Sequence, residues 1–139
     1  MEGVLVWLKW LFALIGGFVI GLLGGWDAAL QVLVIFVVCD YITGVAAAYY
    51  AKQLDSRVGF RGAARKILLF VPVIIAYWLD VAAGAQVLRS MAIFFYIANE
   101  GLSILENLAR MDIAIPGPLK AALEQLKQKA EVQDERSRL

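Results

Sequence analysis

The sequence predicts an all-α fold: a small multi-pass membrane protein with about four transmembrane helices and a short cytoplasmic C-terminal helix. Of its 139 residues, 62% are hydrophobic, whereas soluble domains hold about 45–50% apolar residues. The excess lies between residues 4 and 108, in segments near the roughly 20 residues that a helix needs to cross the hydrocarbon layer. Lysine and arginine gather in two of the intervening or following segments. Together these observations favour membrane-spanning helices.

The distribution of apolar and charged residues divides the chain into a transmembrane domain, residues 1–112, and a cytoplasmic tail, residues 113–139. Apolar segments predict spans at about 4–25, 28–51, 67–83 and 87–110, and a tail helix at about 119–132. The segment at 87–110 is less apolar than the other three. The alternative fold is therefore three spans plus an amphipathic or re-entrant helix.

Basic residues set the predicted orientation in the membrane. The loop predicted between spans two and three, residues 52–66, is rich in lysine and arginine, and so is the tail, whereas the turn near Trp26 carries neither. Segments rich in these residues face the cytoplasm. Four crossings place both basic segments, and both chain termini, on the cytoplasmic side.

Two helical faces made of small residues are candidate packing surfaces. In span one, three glycines follow Ala13 at intervals of four, and in span two small residues continue a face that begins at Asp40. Small residues at this spacing let two helix backbones approach closely in lipid. The predicted helix-packing residues are Gly17, Gly21, Gly25, Gly44 and Ala48.

Asp40 interrupts a long apolar run in the middle of span two. A carboxyl group at that depth costs roughly 3 kcal/mol on insertion scales. Its presence therefore indicates either a partner that offsets this cost or a function that requires the charge. Two interpretations stay open at this point. Asp40 either hydrogen-bonds to groups within one subunit, or it faces a water path or a contact between subunits.

The fourth predicted helix carries a polar stripe along about one third of its circumference. The stripe contains Arg89, Asn99, Glu100, Ser103, Glu106 and Asn107. Together with Asp40, these residues are the candidates for intramembrane polar or pore-lining positions. Three interpretations remain: the lining of a pore or water cavity, a buried polar interface inside a bundle, or a helix lying on the membrane surface.

The composition argues against catalysis and against bound cofactors or metals. The chain has no histidine, and its one cysteine lies in an apolar run. No serine has a plausible base partner, and no phosphate-binding glycine motif occurs. Apart from Phe60, no aromatic residue interleaves with the basic loop. We therefore predict that it contacts lipid headgroups and not nucleic acid.

Three segments carry a resemblance to a known family. They are Asp40-Tyr41-Ile42-Thr43-Gly44, the stretch from Ser56 through Gly59, Arg61 and Gly62 to Arg65-Lys66, and Asn99 to Asn107 followed by Ile115-Pro116. In this combination, over about residues 36–130, the chain resembles the toxin-secretion/phage-lysis holin family.

The resemblance implies a function. Holins are small phage proteins that form homo-oligomers in the bacterial cytoplasmic membrane and open lesions at a set time. The lesions release an endolysin, a functional partner that need not touch the holin, and so time host lysis; some relatives serve toxin secretion. Two alternative functions stay open: a membrane regulator or assembly subunit without a pore, similar to an antiholin, and a narrow ion channel.

Overall fold

The computed structural model describes residues 1–137, except for the side chains of Val58, Ala130 and residues 133–137. Arg136 and Arg138 of the predicted basic tail therefore lie outside the described side chains. The helices are α1 (Glu2–Leu22), α2 (Ala28–Tyr50), α3 (Ser56–Leu68), α4 (Phe70–Ala83), α5 (Leu88–Arg110) and α6 (Gly117–Ser137). The predicted all-α class is confirmed.

Three helical segments are long and apolar enough to cross a membrane: Glu2–Leu22, Ala28–Tyr50 and Gly59–Ala83. The third joins most of α3 to α4. The two α-helices α2 and α5 have the same length, 23 residues each, but α5 is less apolar and is not among these three segments. The hydropathy of α5 therefore does not indicate a fourth crossing, and only its position relative to α2 bears on one.

The predicted loop at 52–66 is wrong, because most of it is helical. Asp55 caps α3 by accepting a hydrogen bond from the main-chain nitrogen of Arg57 at 2.9 Å. α3 and α4 are separated only at Leu69. Pro72 accounts for the break, since it has no N–H for the carbonyl of Leu68 and its ring crowds that carbonyl. Most of the basic residues thus lie on the helix that continues into span three.

The turn between α1 and α2 is built from two glycines. Gly24 and Gly25 have φ angles of 82° and 105°, values that residues with a side chain rarely adopt. Asp27 then caps α2 by accepting from the main-chain nitrogen of Leu30 at 2.9 Å. Because α1 ends at Leu22, Gly25 does not belong to the helical face predicted with Gly17 and Gly21. That part of the prediction is wrong.

α2 and α5 run side by side in the same direction. Hydrogen bonds join Arg89 to Asp27 at one end of the pair and Tyr50 to Asp112, at 3.0 Å, at the other. α4 runs antiparallel to both, since Asp80 near its end meets the first turn of α5. α5 therefore covers the same depth as α2, which is what an alternating four-span arrangement requires.

The core lies between α2, α4 and α5, with one contribution from the α1–α2 turn. Its buried residues are Leu23, Leu30, Leu33, Val37, Val73, Ile93 and Ile97. α6 folds back along α5, and its Leu126 packs against this core. The predicted tail helix is thus longer than expected and lies against the bundle. By contrast, no residue of Glu2–Leu22 is buried.

Candidate functional site

A buried ionic cluster joins α2, α3 and α5. The ammonium nitrogen of Lys66 contacts the Asp40 carboxylate and donates a hydrogen bond to Glu100 Oε2 at 2.5 Å. Asp40 is 4% exposed and Glu100 is 6% exposed. Removing two carboxylates from water is costly unless a cation and hydrogen bonds compensate them. One lysine supplies that cation to both and thereby ties three helices together.

Asn107 completes the surroundings of Asp40. Its side-chain nitrogen donates to Asp40 Oδ1 at 2.8 Å and to the hydroxyl oxygen of Thr43 at 3.1 Å. The Thr43 hydroxyl in turn donates to the main-chain oxygen of Asp40 at 3.1 Å. Both carboxylate oxygens of Asp40 therefore have partners within one chain. This geometry matches the first of the two interpretations left open for Asp40.

Small residues on α2 make room for these contacts. A Cβ atom added at Gly44 would lie 3.5 Å from the side-chain nitrogen of Asn107, an ordinary van der Waals distance, so the backbone of α2 at Gly44 lies directly beside the amide. Ala47 is 3% exposed, and Ala48 is half-buried. The small-residue face of α2 thus lies against α5 within the chain, where close approach of the backbones brings the polar groups together.

A second polar group, the Arg89 clamp, lies at the other end of the bundle and consists of Arg89, Asp27 and Asp80. The guanidinium of Arg89 donates to the main-chain oxygens of Leu23 at 2.5 Å and Gly25 at 3.1 Å, and to Asp27 Oδ2 at 2.5 Å. Arg89 therefore ties the α1–α2 turn to the start of α5.

Asp80 caps α5 from a neighbouring helix. Its two carboxylate oxygens accept from the main-chain nitrogens of Leu88 at 3.0 Å and Arg89 at 2.8 Å. These N–H groups belong to the first turn, where a helix offers no partner of its own. Asp80 is 3% exposed, so a buried carboxylate satisfies the half-buried first turn of α5.

The exposed member of the clamp is sensitive to pH. The hydrogen bond from Arg89 lowers the pKa of Asp27 below its ordinary value of 3.8. A carboxyl group with a lowered pKa in the folded state stabilises the fold fully above its unfolded pKa. The contribution is lost as the pH falls through the lowered value. The Asp27–Arg89 pair is therefore intact at neutral pH.

The residues of the polar stripe predicted for α5 lie in different environments. Glu100 and Asn107 are buried in the ionic cluster, Arg89 belongs to the clamp, and Asn99 and Ser103 are half-buried. Glu106 remains exposed. Within one chain, the buried-interface interpretation describes the contacts of Glu100 and Asn107. The side of α5 expected to face away from them is also covered, because Ile97, Ala98 and Leu105 are buried.

Lys66 is the functional residue that the sequence argument missed. The sequence places Lys66 in the basic loop and among the residues that carry the family resemblance, but assigns it no partner. A usable signal was present, because Lys66 directly precedes an apolar span while two carboxyl groups in other spans need a cation. What the sequence could not supply was the helical phase of α3, which turns Lys66 towards α2 and α5 while Arg61 and Arg65 stay exposed.

A cavity of about 240 Å³ borders the ionic cluster. Its wall includes Asp40, Lys66, Ser103 and Asn107 and extends to Asp55 in the α2–α3 connection. The cavity is open to solvent, and the side chain of Lys66 beside it is 22% exposed. Among the residues that the structure describes, no group of three or more acidic, cysteine or histidine side chains is arranged to hold a metal ion.

Replacing Asn107 by alanine is expected to destabilise the fold by about 1–3 kcal/mol, because a buried carboxylate oxygen loses its donor. Thermal unfolding of the purified protein in detergent measures the effect. The half-buried Asn99 is the matched control on the same helix, and Asn99→Ala should change the stability by no more than about 0.5 kcal/mol. Equal effects of the two substitutions would contradict the role given to Asn107.

Comparison with known proteins gives a family. The family model described as "Bacteriophage holin family" matches residues 17–128, a range that contains α2 to α5, the ionic cluster and the Arg89 clamp. The resemblance drawn from the three sequence segments is thereby confirmed. No solved structure matches the chain.

Similar proteins occur in Clostridium perfringens, Listeria monocytogenes and a Bacillus phage. An uncharacterized protein in the nagH 3′ region of Clostridium perfringens is 39% identical over 131 residues, which cover 93% of this chain and 99% of that protein. An uncharacterized protein of Listeria monocytogenes is 45% identical over 71% of each chain. A probable holin of Bacillus phage phi105 is 43% identical over 88 residues, covering 63% of this chain and 65% of the phage protein.

Proposed function

Because this chain belongs to the bacteriophage holin family, we propose that it oligomerises in the bacterial cytoplasmic membrane and opens lesions there. Through these lesions an endolysin would reach the cell wall, so that the chain times host lysis without being an enzyme. The observation that carries the proposal is the family match over residues 17–128. The probable holin of Bacillus phage phi105 supports it.

The distribution of polar and apolar groups supports a bundle that folds within lipid. The outer side of α2 exposes Ile35, Val38 and Ile42, which are 57%, 51% and 60% exposed. The outer side of α4 exposes Ile75 and Leu79 in the same way. The intramembrane carboxylates are instead turned inward, where Lys66 and main-chain N–H groups neutralise or cap them. The bundle of α2 to α5 can therefore fold in lipid before copies assemble.

α1 is the helix best suited to contacts between copies. Its residues are not buried by the rest of the chain, and a Cβ atom added at Gly17 or Gly21 would meet nothing within 4 Å. In lipid, such a face favours association with another helix. We propose that α1 contributes to the homo-oligomer through Ala13, Gly17 and Gly21.

Gly21→Leu is expected to delay or block lesion formation while leaving insertion intact, because the leucine keeps neighbouring backbones apart. Cross-linking of membranes and the time of lysis measure the two effects. Val19→Leu, on the opposite side of α1, is the matched control and should behave as wild type. Normal oligomer ladders and normal timing for Gly21→Leu would remove α1 from the proposed interface.

We propose that both termini of the newly inserted chain are cytoplasmic, with residues 113–139 as the tail. The parallel α2 and α5 support this orientation, since alternating spans two and four run in one direction. Single cysteines at positions 26, 56 and 84 in a Cys39→Ala background test it. A membrane-impermeant thiol reagent added outside intact cells should label positions 26 and 84 only. Protection of position 84 would contradict four crossings.

The function itself is tested by inducing the chain in bacteria with and without a co-expressed cytoplasmic lysin. A holin stops growth abruptly and releases the lysin, so that the culture clears. A narrow channel would depolarise the membrane without releasing protein. A regulator or assembly subunit similar to an antiholin would do neither by itself, and would alter the lysis time only beside a separate holin.

A further inference from the structure

α6 lies antiparallel to α5 over most of its length. A Cβ atom added at Gly101, in the middle of α5, would lie 2.9 Å from the two methyl carbons of Leu123 in α6. Further along, Lys129 and Val132 border a cavity together with Gln86 and Val87 at the opposite end of α5. Since α5 covers the same depth as α2, α6 does so too.

The outer face of α6 is unsuited to lipid. Lys120 and Glu124 have side chains that are 62% and 52% exposed and form only a long i,i+4 pair at 3.9 Å. Gln128, Lys129 and Glu131 are exposed as well. Charged side chains within the hydrocarbon layer are costly and normally face water or other protein. The inner face is apolar instead, because Leu123 contacts Gly101 and Leu126 packs on the core.

The bundle thus has one side fit for lipid and one that requires water. The outer sides of α2 and α4 are apolar, whereas the side covered by α6 is charged. A single chain surrounded by lipid cannot satisfy both sides. A closed arrangement of several chains can, if each turns α6 inward and α2 and α4 outward.

We propose that α6 lines the aqueous interior of the assembled lesion, with α5 behind it. The inference rests on the proposed function and assigns the water-facing role to α6 in place of the polar stripe of α5, whose Glu100 and Asn107 are occupied inside the bundle. The cytoplasmic tail of the newly inserted chain docks onto α5 when copies assemble. This arrangement is not predicted from the sequence, because α6 is too polar to be recognised as a membrane segment.

A disulfide between α5 and α6 tests the arrangement. In a Cys39→Ala background, Gly101→Cys and Leu123→Cys place two thiols at the observed contact, and the second substitution removes the methyl groups that the first would meet. The full-length variant is reconstituted into vesicles loaded with a fluorescent protein and oxidised with copper phenanthroline. Gly101→Cys with Glu124→Cys is the control pair, since Glu124 points outward.

The first pair should form the disulfide in membranes, the control pair should not, and the locked protein should still release the fluorescent protein. Absence of the disulfide would overturn the inference. So would a cross-linked protein that releases the fluorescent protein only after the disulfide is reduced, because α6 would then have to leave α5 before a lesion opens. If the unsubstituted chain releases nothing, the proposed function itself fails, which is a different result.

A second variant leaves the α5–α6 contact untouched. Lys120→Leu with Glu124→Leu removes two charges from the outer face of α6 without changing the net charge, and we expect release to be strongly reduced while insertion persists. Glu2→Leu with Lys9→Leu makes the same change on α1 and should retain release. Wild-type release by the α6 variant would overturn the assignment of α6 to the interior of the lesion.

Discussion

Replacing Lys66 by methionine is expected to destabilise the folded bundle by about 3–5 kcal/mol, the usual cost of leaving a buried charge without its partner. Methionine preserves much of the side-chain volume but leaves the carboxylates of Asp40 and Glu100 facing each other without a cation. We expect the variant to accumulate poorly in membranes and to unfold at a much lower temperature in detergent.

Two controls separate the charge from the lost side chain. Lys127→Met makes the same substitution on α6, outside the ionic cluster, and should have little effect. The triple variant Asp40→Asn, Lys66→Met, Glu100→Gln removes all three charges and should recover most of the lost stability, since an uncharged set avoids the unpaired carboxylates. A triple variant as unstable as Lys66→Met would show that the charge balance is not what holds these helices together.

Gly24→Ala is expected to have the second large effect. A Cβ atom at this position would lie 2.5 Å from the ring of Tyr77 and 2.8 Å from Nε of Arg89, so the Arg89 clamp would have to move. The positive φ adds backbone strain of about 1–3 kcal/mol, and the crowding adds about 1–3 kcal/mol. Thermal unfolding in detergent measures the sum.

Gly25→Ala is the matched control for Gly24→Ala. Gly25 has a positive φ too, but a Cβ atom there would meet nothing within 4 Å. Its substitution therefore reports the backbone strain alone, and the difference between the two variants reports the crowding against Tyr77 and Arg89. Equal losses of stability in the two variants would mean that the Arg89 clamp accommodates the added methyl group without losing stability.

The sequence predicted those parts of the fold that depend on apolar length. α1 and α2 were expected within a few residues of their observed bounds, because long apolar runs leave few alternatives in a membrane. The basic stretch at 52–66 was misjudged, since lysine and arginine are compatible with helix and were counted only as loop charges. Gly25 was misplaced because the regular spacing of four concealed the end of α1 at Leu22.

The sequence singled out three residues of the ionic cluster but neither Lys66 nor the contacts that join them. Asp40, Glu100 and Asn107 stood out because polar groups in apolar segments are costly, which is a property of each residue separately. That one lysine on α3 serves both carboxylates depends on how three helices pack, and no local pattern encodes this. The docking of α6 escaped prediction for the same reason, since it depends on the surface that α5 offers.

The parallel arrangement of α2 and α5 has a mechanical consequence. Two of the attachments within the pair are Asp27 with Arg89 and Asp40 with Asn107, and the rise over the thirteen positions from Asp27 to Asp40 separates them by roughly 20 Å. Sliding one helix past the other by a single turn, about 5.4 Å, would break both attachments at once. The register of α2 and α5 is therefore fixed, and any rearrangement during assembly must move this pair as one rigid body.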